Sequence, residues 1–448
     1  GPDSASRVLT LKYLYPLETD GENQHHKKWL EQISAEIDKR ILEFQPLRFK
    51  DVLGNTPPTG LHYFPSSFVS SDNEPAMPYF LNHLHCYDQI SVMQRKLMDA
   101  CDSVRELKES KLSAKLKRQL FFAQDINRFL PAEHAGFSSI SDRLWTYGKL
   151  IDIERELYEL RDAEGGVIQL SDFLRNGYKS VILSNRALKI YIDHKNGAQV
   201  YALDYRERSY NACAAYNPMV WPTPNVIVPR ESRLGFRDKI FTKPFTLDDY
   251  RKGAAADCSN FTDSPFEYIF KNSPTGVKAL LNCNGGFADG GHDHPLTMDK
   301  VFGLEKDGAA LVYSYRLGNT SLTDYSLILG IELPLALPGC AHGNTRIVSG
   351  KNKFSITGKE PIIINDTAEW EIEDGGAGVQ MEFVTQKKIN IWLFSPEAPA
   401  AGADNPRSNG ITLFMSCPIE IEKNSAVTFT GRITFKKIKA RGEAHDSL

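Results

Sequence analysis

Residues 181–217 constrain the fold more than any other stretch of this chain. Leu188, Ile190 and Ile192 alternate with Lys189, Tyr191 and Asp193. That period of two gives a strand one apolar face and one wet face, as in an antiparallel sheet. Lys195-Asn196-Gly197 then turns the chain into an aromatic-rich return strand through Val200, Tyr201 and Tyr205. Short alternating segments of the same kind recur between Gly, Asn, Asp and Pro turns at 301–304, 310–315, 325–333, 353–356, 369–372, 379–384, 389–394, 411–415 and 426–436. So many strands call for two packed sheets.

The span is longer than an immunoglobulin-like sandwich needs, so a large antiparallel supersandwich of the galactose-mutarotase kind is predicted for 166–448. What precedes it reads differently. Trp29, Ile33, Ile37 and Ile41 recur every four residues and predict a helix within 24–44. Pro57-Pro58 ends any helix, because neither residue has an amide hydrogen, and a short strand is predicted at 61–64. Residues 79–162 carry two helical stripes, Ile90, Met93, Leu97 and Cys101, then Leu116, Leu120 and Ala123. The charge run at 105–118 reads as a solvated helix face. A last helix at 145–161 stops before Gly165-Gly166, the best domain boundary in the sequence. Three domains are expected: 1–75, 76–165 and 166–448.

A chain of 448 residues exceeds what one hydrophobic core serves, and 41% hydrophobic residues is ordinary for globular protein. A formal charge of −3 gives no reason to expect nucleic acid or an anionic membrane as partner. The longest apolar run, around 327–337, is interrupted by Glu332 and Pro334 and is too short to span a bilayer. The seven cysteines are scattered, without a C-x-x-C pair, and read as reduced, mostly buried thiols. The chain opens Gly1-Pro2 rather than Met, the form a tag-removing protease leaves, so an engineered start is expected, which leaves open whether a native leader or upstream domain was cut away. The expected compartment is the cytoplasm.

Residues 197–205 read Gly-Ala-Gln-Val-Tyr-Ala-Leu-Asp-Tyr. They resemble the "Gly, small, x, hydrophobic, x, Leu-Asp-Tyr" signature that opens the C-terminal β-sandwich of glycoside hydrolase family 57 proteins of the 4-α-glucanotransferase and α-amylase type. Phe245 to Tyr250, then Asn260-Phe261 and Ser264-Pro265-Phe266-Glu267, are similar to that family's acidic helix, Gly-Asp-Phe and Pro-Tyr-Glu passage. Val301-Phe302, Asn390-Ile391-Trp392 and a final strand at 427–435 keep its order. Upstream, Val92-Met93-Gln94-Arg95-Lys96-Leu97 resembles the Met-His-Lys-Arg-Met-Leu helix, with Gln94 in place of the histidine. Ala123-Gln124 opens a stretch in which Leu130-Pro131 replaces a Trp-His pair that faces sugar in active relatives. Leu and Pro offer neither a ring platform nor a hydroxyl partner.

Residues 57–67 resemble the family's last barrel strand, and Asp20-Gly21-Glu22 its acid-bearing turn. The resemblance therefore implies an α+β multidomain chain: a remnant of the end of a (β/α) barrel, a helical domain, and a large antiparallel β-sandwich of galactose-mutarotase-like type.

A retaining glycosidase needs two carboxyl groups about 5 to 5.5 Å apart. By resemblance this chain offers only Asp20, as a relic of the acid/base, with Glu22 as local alternative; the plain reading of Asp20-Gly21 is a turn. The earlier barrel strands and their nucleophilic glutamate have no counterpart. For substrate binding the candidates are Trp221, set in a proline-rich loop, Arg230 just after it, Tyr205 and His292. Tyr201, Tyr210, Tyr216 and Trp392 are expected to fill the sandwich core.

Asn282 to Pro295 holds four glycines with His292, Asp293 and His294, and reads as a polar loop rather than a metal site, so no metal and no cofactor are expected. A mutarotase-like site would pair His292 or His294 with Glu267 or Asp293. Three readings stay open: a non-catalytic protein that binds α-glucan or another neutral polysaccharide or serves a structural role; the C-terminal part of an active 4-α-glucanotransferase or α-amylase; and a scaffold for a protein partner or homo-oligomer.

Overall fold

In the computed structural model, residue 35 and residues 88–129, 139–160, 166–174, 176–215, 234–395 and 410–439 are described. Asp20, Glu22, the strand at 61–64, Leu130-Pro131, Tyr216, Trp221 and Arg230 lie outside them, as does all of the 24–44 helix except Ala35.

Three helices come first: α1 (Asp88–Arg105), α2 (Lys111–Ala123) and α3 (Ile140–Leu160). Ser110 caps α2 in a reciprocal box with Ser113, which satisfies two amides the helix leaves open. Ile90 and Met93 of the first stripe and Leu116, Leu120 and Ala123 of the second are buried, and the charge run between them is largely exposed. The α3 helix begins five residues earlier than the pattern predicts. Among the described residues no helix is long and apolar enough to cross a membrane.

The first sheet runs in order β1 (Val167–Ser171), β2 (Ser180–Ser184), β3 (Leu188–Asp193), β4 (Gln199–Tyr205) and β5 (Tyr210–Asn211), antiparallel throughout. Its registers align Leu183, Ile190 and Leu203 on the core face. The other face, which the alternation assigns to water, aligns Ile182, Tyr191 and Ala202 and is buried as well. Val92 of α1 packs there with Phe173. The turn after β3 needs its glycine: Gly197 has φ +64, and a Cβ there would strike the Thr262 carbonyl.

The second sheet has 12 strands among the described residues. They are β6 (Arg237–Phe241), β7 (Glu267–Ser273), β8 (Gly276–Asp289), β9 (His292–Glu305), β10 (Ala310–Asn319), β11 (Tyr325–Leu335), β12 (Thr345–Ser349), β13 (Asn352–Ser355), β14 (Ile362–Asp374), β15 (Val379–Phe394), β16 (Ile411–Ile421) and β17 (Ala426–Lys437). Two expected strands, 379–384 and 389–394, are one long strand. It forks: its first half pairs with β17 and its second half with β16, while β14 follows it through two register shifts around Thr367. Bulges of this kind bend a sheet. The β10 and β16 arms are thereby brought into contact, and the Tyr313 hydroxyl lies 3.7 Å from the Met415 sulfur. The predicted strands within 301–436 fall inside observed ones, except that Ile356 lies one residue beyond β13. The fold is mostly β and antiparallel, with few helices.

On one outer face a short helix, α4 (Leu247–Arg251), covers an aromatic cluster of Phe241, Phe245, Tyr250, Trp392 and Phe414. Tyr250 lies 4.5 Å from Phe414, centroid to centroid. Trp392 is buried there, and Tyr201 and Tyr210 are buried in the first sheet, as their core assignment expects.

Candidate functional site

Lys96 lies on the buried side of α1, four residues after Val92, and its side chain is fully buried. A buried ammonium survives only if its protons are taken up by acceptors. Here its Nζ donates to Asp204 Oδ2 at 2.5 Å, Glu154 Oε2 at 2.8 Å and the Tyr191 hydroxyl at 3.0 Å. The Tyr191 hydroxyl donates in turn to Glu154 Oε1 at 2.8 Å, and Lys189 approaches the same oxygen at 3.1 Å. This hub joins α1 and α3 to β3 and β4. It also joins two segments that carry the family resemblance, the 92–97 helix and the Leu203-Asp204-Tyr205 signature.

Burial pushes the Lys96 ammonium down, but Asp204 and Glu154 outweigh it and hold the group above its ordinary value. Burial pushes Glu154 up, and Lys189 with Lys96 overcomes this and holds it below the ordinary 4.5. For Asp204 burial wins over Lys96, so it is the carboxylate of the hub that takes up a proton first. Because the folded-state value of Glu154 is depressed, its contribution to stability is fully present above about pH 4.5 and is lost as the pH falls toward the folded value. Urea unfolding at a series of acidic pH values is expected to show Glu154→Gln flattening this acid limb relative to wild type.

Glu154 and Asp204 share one ammonium, so the hub gathers two carboxylates, as a retaining pair requires. Lys96 lies between them, however, and Asp204 is fully buried and Glu154 9% exposed. A second ionic pair lies inside the large sheet. Lys300 meets Asp238 and donates to the Gly197 carbonyl and, at 3.3 Å, to that of Phe236, with the Phe266 and Tyr315 rings flanking its ammonium. Burial pushes the Asp238 carboxyl up to about 6 against the pull of Lys300.

The remaining buried carboxylate, Asp374, accepts from the Gly339 amide at 2.9 Å, Thr345 Oγ1 at 2.6 Å and the Ala377 amide at 2.6 Å. Asp374 pins the floor of an open cleft of about 340 Å³ lined by Asn344, Thr345, Arg346, Lys353, Ser355 and Glu373. Arg346 and Glu373, paired across β12 and β14, present a guanidinium and a carboxylate beside the Asn344 amide and the Ser355 hydroxyl, while the Thr345 hydroxyl is buried on Asp374. Such a set suits hydroxyl-bearing ligands: donors and acceptors are interleaved, and most are partly solvated and so cost little to re-pair.

The expected loop at 282–295 is instead the β8–β9 hairpin. Gly290 and Gly291, with φ of +56 and +83, supply the two-residue turn, whose left-handed conformation favours glycine. His292 sits exposed at its tip opposite Asp289, and the His294 ring stacks on Phe287 at 4.9 Å. Glu267 is level with Asp299, five residues from His294, roughly 17 Å along the strand. The histidine and glutamate of a mutarotase-like site are therefore not brought together. Tyr205 is buried, its ring stacked on Phe435 at 5.4 Å and its hydroxyl donating to Glu207 at 2.7 Å. Among the described residues no three His, Cys, Asp or Glu side chains gather as a metal site.

Neither the hub nor the cleft was among the sequence candidates. A lysine on the apolar stripe of α1 is the signal that marks the hub; the cleft is made by chain crossings that leave no local pattern.

Residues 227–398 match the family model described as alpha-amylase/4-alpha-glucanotransferase, C-terminal. This chain resembles the C-terminal half of those proteins. The crystal structure of 4-alpha-glucanotransferase from Thermococcus litoralis aligns with a TM-score of 0.62 at 16% identity, covering 93% of this chain and 56% of that one. At that identity the likeness establishes the fold, and the glucanotransferase-like chain spans little more than half of its counterpart. A galactose mutarotase-like protein from Clostridium acetobutylicum aligns over 61% of this chain and 99% of its own, at 9% identity and a TM-score of 0.45. Galactose 1-epimerase from Lactobacillus acidophilus aligns over 62% and 100%, at 11% identity and 0.40. No curated protein matches the sequence.

Proposed function

We propose that this glucanotransferase-like chain is a non-catalytic, α-glucan-binding protein whose helices and β-sandwich act as one rigid body. The observation that carries the reading is the state of the four carboxylates buried among the described residues. Glu154 and Asp204 are held by Lys96, Asp238 by Lys300, and Asp374 by backbone amides and Thr345. None faces an open cleft as half of an acid–nucleophile pair. The Arg346–Glu373 cleft supplies the binding surface, its side chains sharing the glucan's hydroxyls.

Calorimetric titration of the chain with maltoheptaose, beside an assay of the same sample for released or transferred glucose units, tests this reading. Saturable binding without turnover is expected, and Arg346→Ala should weaken binding by about tenfold, the loss of one charge-assisted hydrogen-bonding group. Turnover by this chain overturns the non-catalytic role. A second reading rests on the coverage of the Thermococcus protein: the chain is the C-terminal part of a longer active glucanotransferase or amylase. Joining it to an upstream barrel bearing the nucleophilic glutamate would then give activity.

A further inference from the structure

The β7 strand closes one end of the large sheet. It pairs with β8 on one side, and no described strand pairs with its other side. Bare edges of this kind invite another strand unless they are shortened, covered or charged. The registers arrange the outward face of this corner in three rows. Glu267, Asn282 and Asp299 form an acidic row; Ile269, Leu280 and Val301 form an apolar row; Lys271 and Lys278 form a basic row that ends on Gly303. Ile269, at the centre of the bare strand, is 67% exposed. Lys271 stands directly opposite Lys278, a like-charged cross-strand pair that opposes the sheet. Among the described residues, neither Glu267 nor Lys271 enters an ion pair.

We propose that this edge pairs with the same edge of a second copy of the chain, antiparallel about a two-fold axis at Ile269. The sequence Glu267-Tyr268-Ile269-Phe270-Lys271 is self-complementary in that register. Glu267 meets the partner's Lys271, Lys271 meets the partner's Glu267, Tyr268 meets the partner's Phe270, and the two Ile269 side chains meet on the axis. Each carboxylate thus relieves a lysine pair, and the two apolar rows join into one stripe across the dimer. An isologous interface requires this kind of self-matching, because each contact is made twice. The added ladder of main-chain hydrogen bonds supplies affinity and the charges supply register. The dimer does not depend on glucan binding.

Sedimentation velocity of the whole chain over a range of concentrations tests the pairing. Wild type is expected to dimerise. Glu267→Lys sets a lysine against the partner's Lys271 at both ends of the interface and should raise the dimer dissociation constant about tenfold or more. Lys271→Glu should do the same through two carboxylate pairs. The double variant E267K/K271E exchanges the signs and should recover dimerisation. These positions are exposed, so the melting temperature of each variant reports that the fold is kept. A wild type that stays monomeric, a dimer that neither single variant weakens, or a double variant no better than the singles would overturn the proposal.

Discussion

Lys96→Met is expected to lower the unfolding free energy by about 3–5 kcal/mol, the range for breaking a buried ion pair from one side. The substitution keeps the length of the side chain and its place over the Tyr191 ring of the first sheet. What it removes is the cation that Asp204 and Glu154 share, leaving two carboxylates at 0% and 9% exposure, of which Glu154 keeps Lys189 and the Tyr191 hydroxyl and Asp204 loses its ion-pair partner. Asp204 is the worse placed, because its second oxygen already lacks a hydrogen-bond partner. Urea unfolding followed by circular dichroism measures the loss. If the hub sets the helices on the sheet, the transition should also broaden or split, with the helical signal lost before the β signal. A change under about 1 kcal/mol would mean that the carboxylates protonate or rehydrate at little cost.

Lys300→Met is expected to be nearly as severe, by the same mechanism at the second buried ion pair. Lys300 is fully buried, and its ammonium ties Asp238 on β6 to the Gly197 turn of the first sheet. Without it Asp238 must be neutral, and its carboxyl, already raised to about 6, should take up a proton near neutral pH. The loss should therefore be larger at pH 8 than at pH 5. That sign follows because an acid whose folded-state value is raised favours folding when protonated. Exchanging both partners, as Lys300→Met with Asp238→Leu, should recover most of the lost stability, since an apolar pair carries no desolvation penalty. Urea titrations of the two single variants and the double variant at both pH values measure the cycle.

Much of the fold was legible because one face of each strand had to be apolar. The alternation at 188–192, the turn at Gly197 and the strands from 301 onward follow from that rule alone. The wet face of β3 was misread for a definite reason. Tyr191 and Lys189 look solvent-facing in sequence, yet the helices pack on that side and convert its polar atoms into a buried network. The 282–295 stretch was misread because its glycines and polar residues mimic a loop. In fact only Gly290 and Gly291 turn, while Gly285 and Gly286 lie in a strand where a Cβ would strike Asn260 and the His294 carbonyl. The cleft depends on Arg346 and Glu373, 27 residues apart in sequence and neighbours only through the β12–β14 register, so no local pattern announces it.

Hydrogen exchange read by mass spectrometry, with and without saturating maltoheptaose, tests the glucan-binding account most directly. The expected result is slowed exchange confined to 343–355 and 373–375, where the Arg346–Glu373 cleft meets solvent, and abolished by Arg346→Ala. Unchanged exchange throughout the chain, or protection elsewhere with the cleft unaffected, would contradict it.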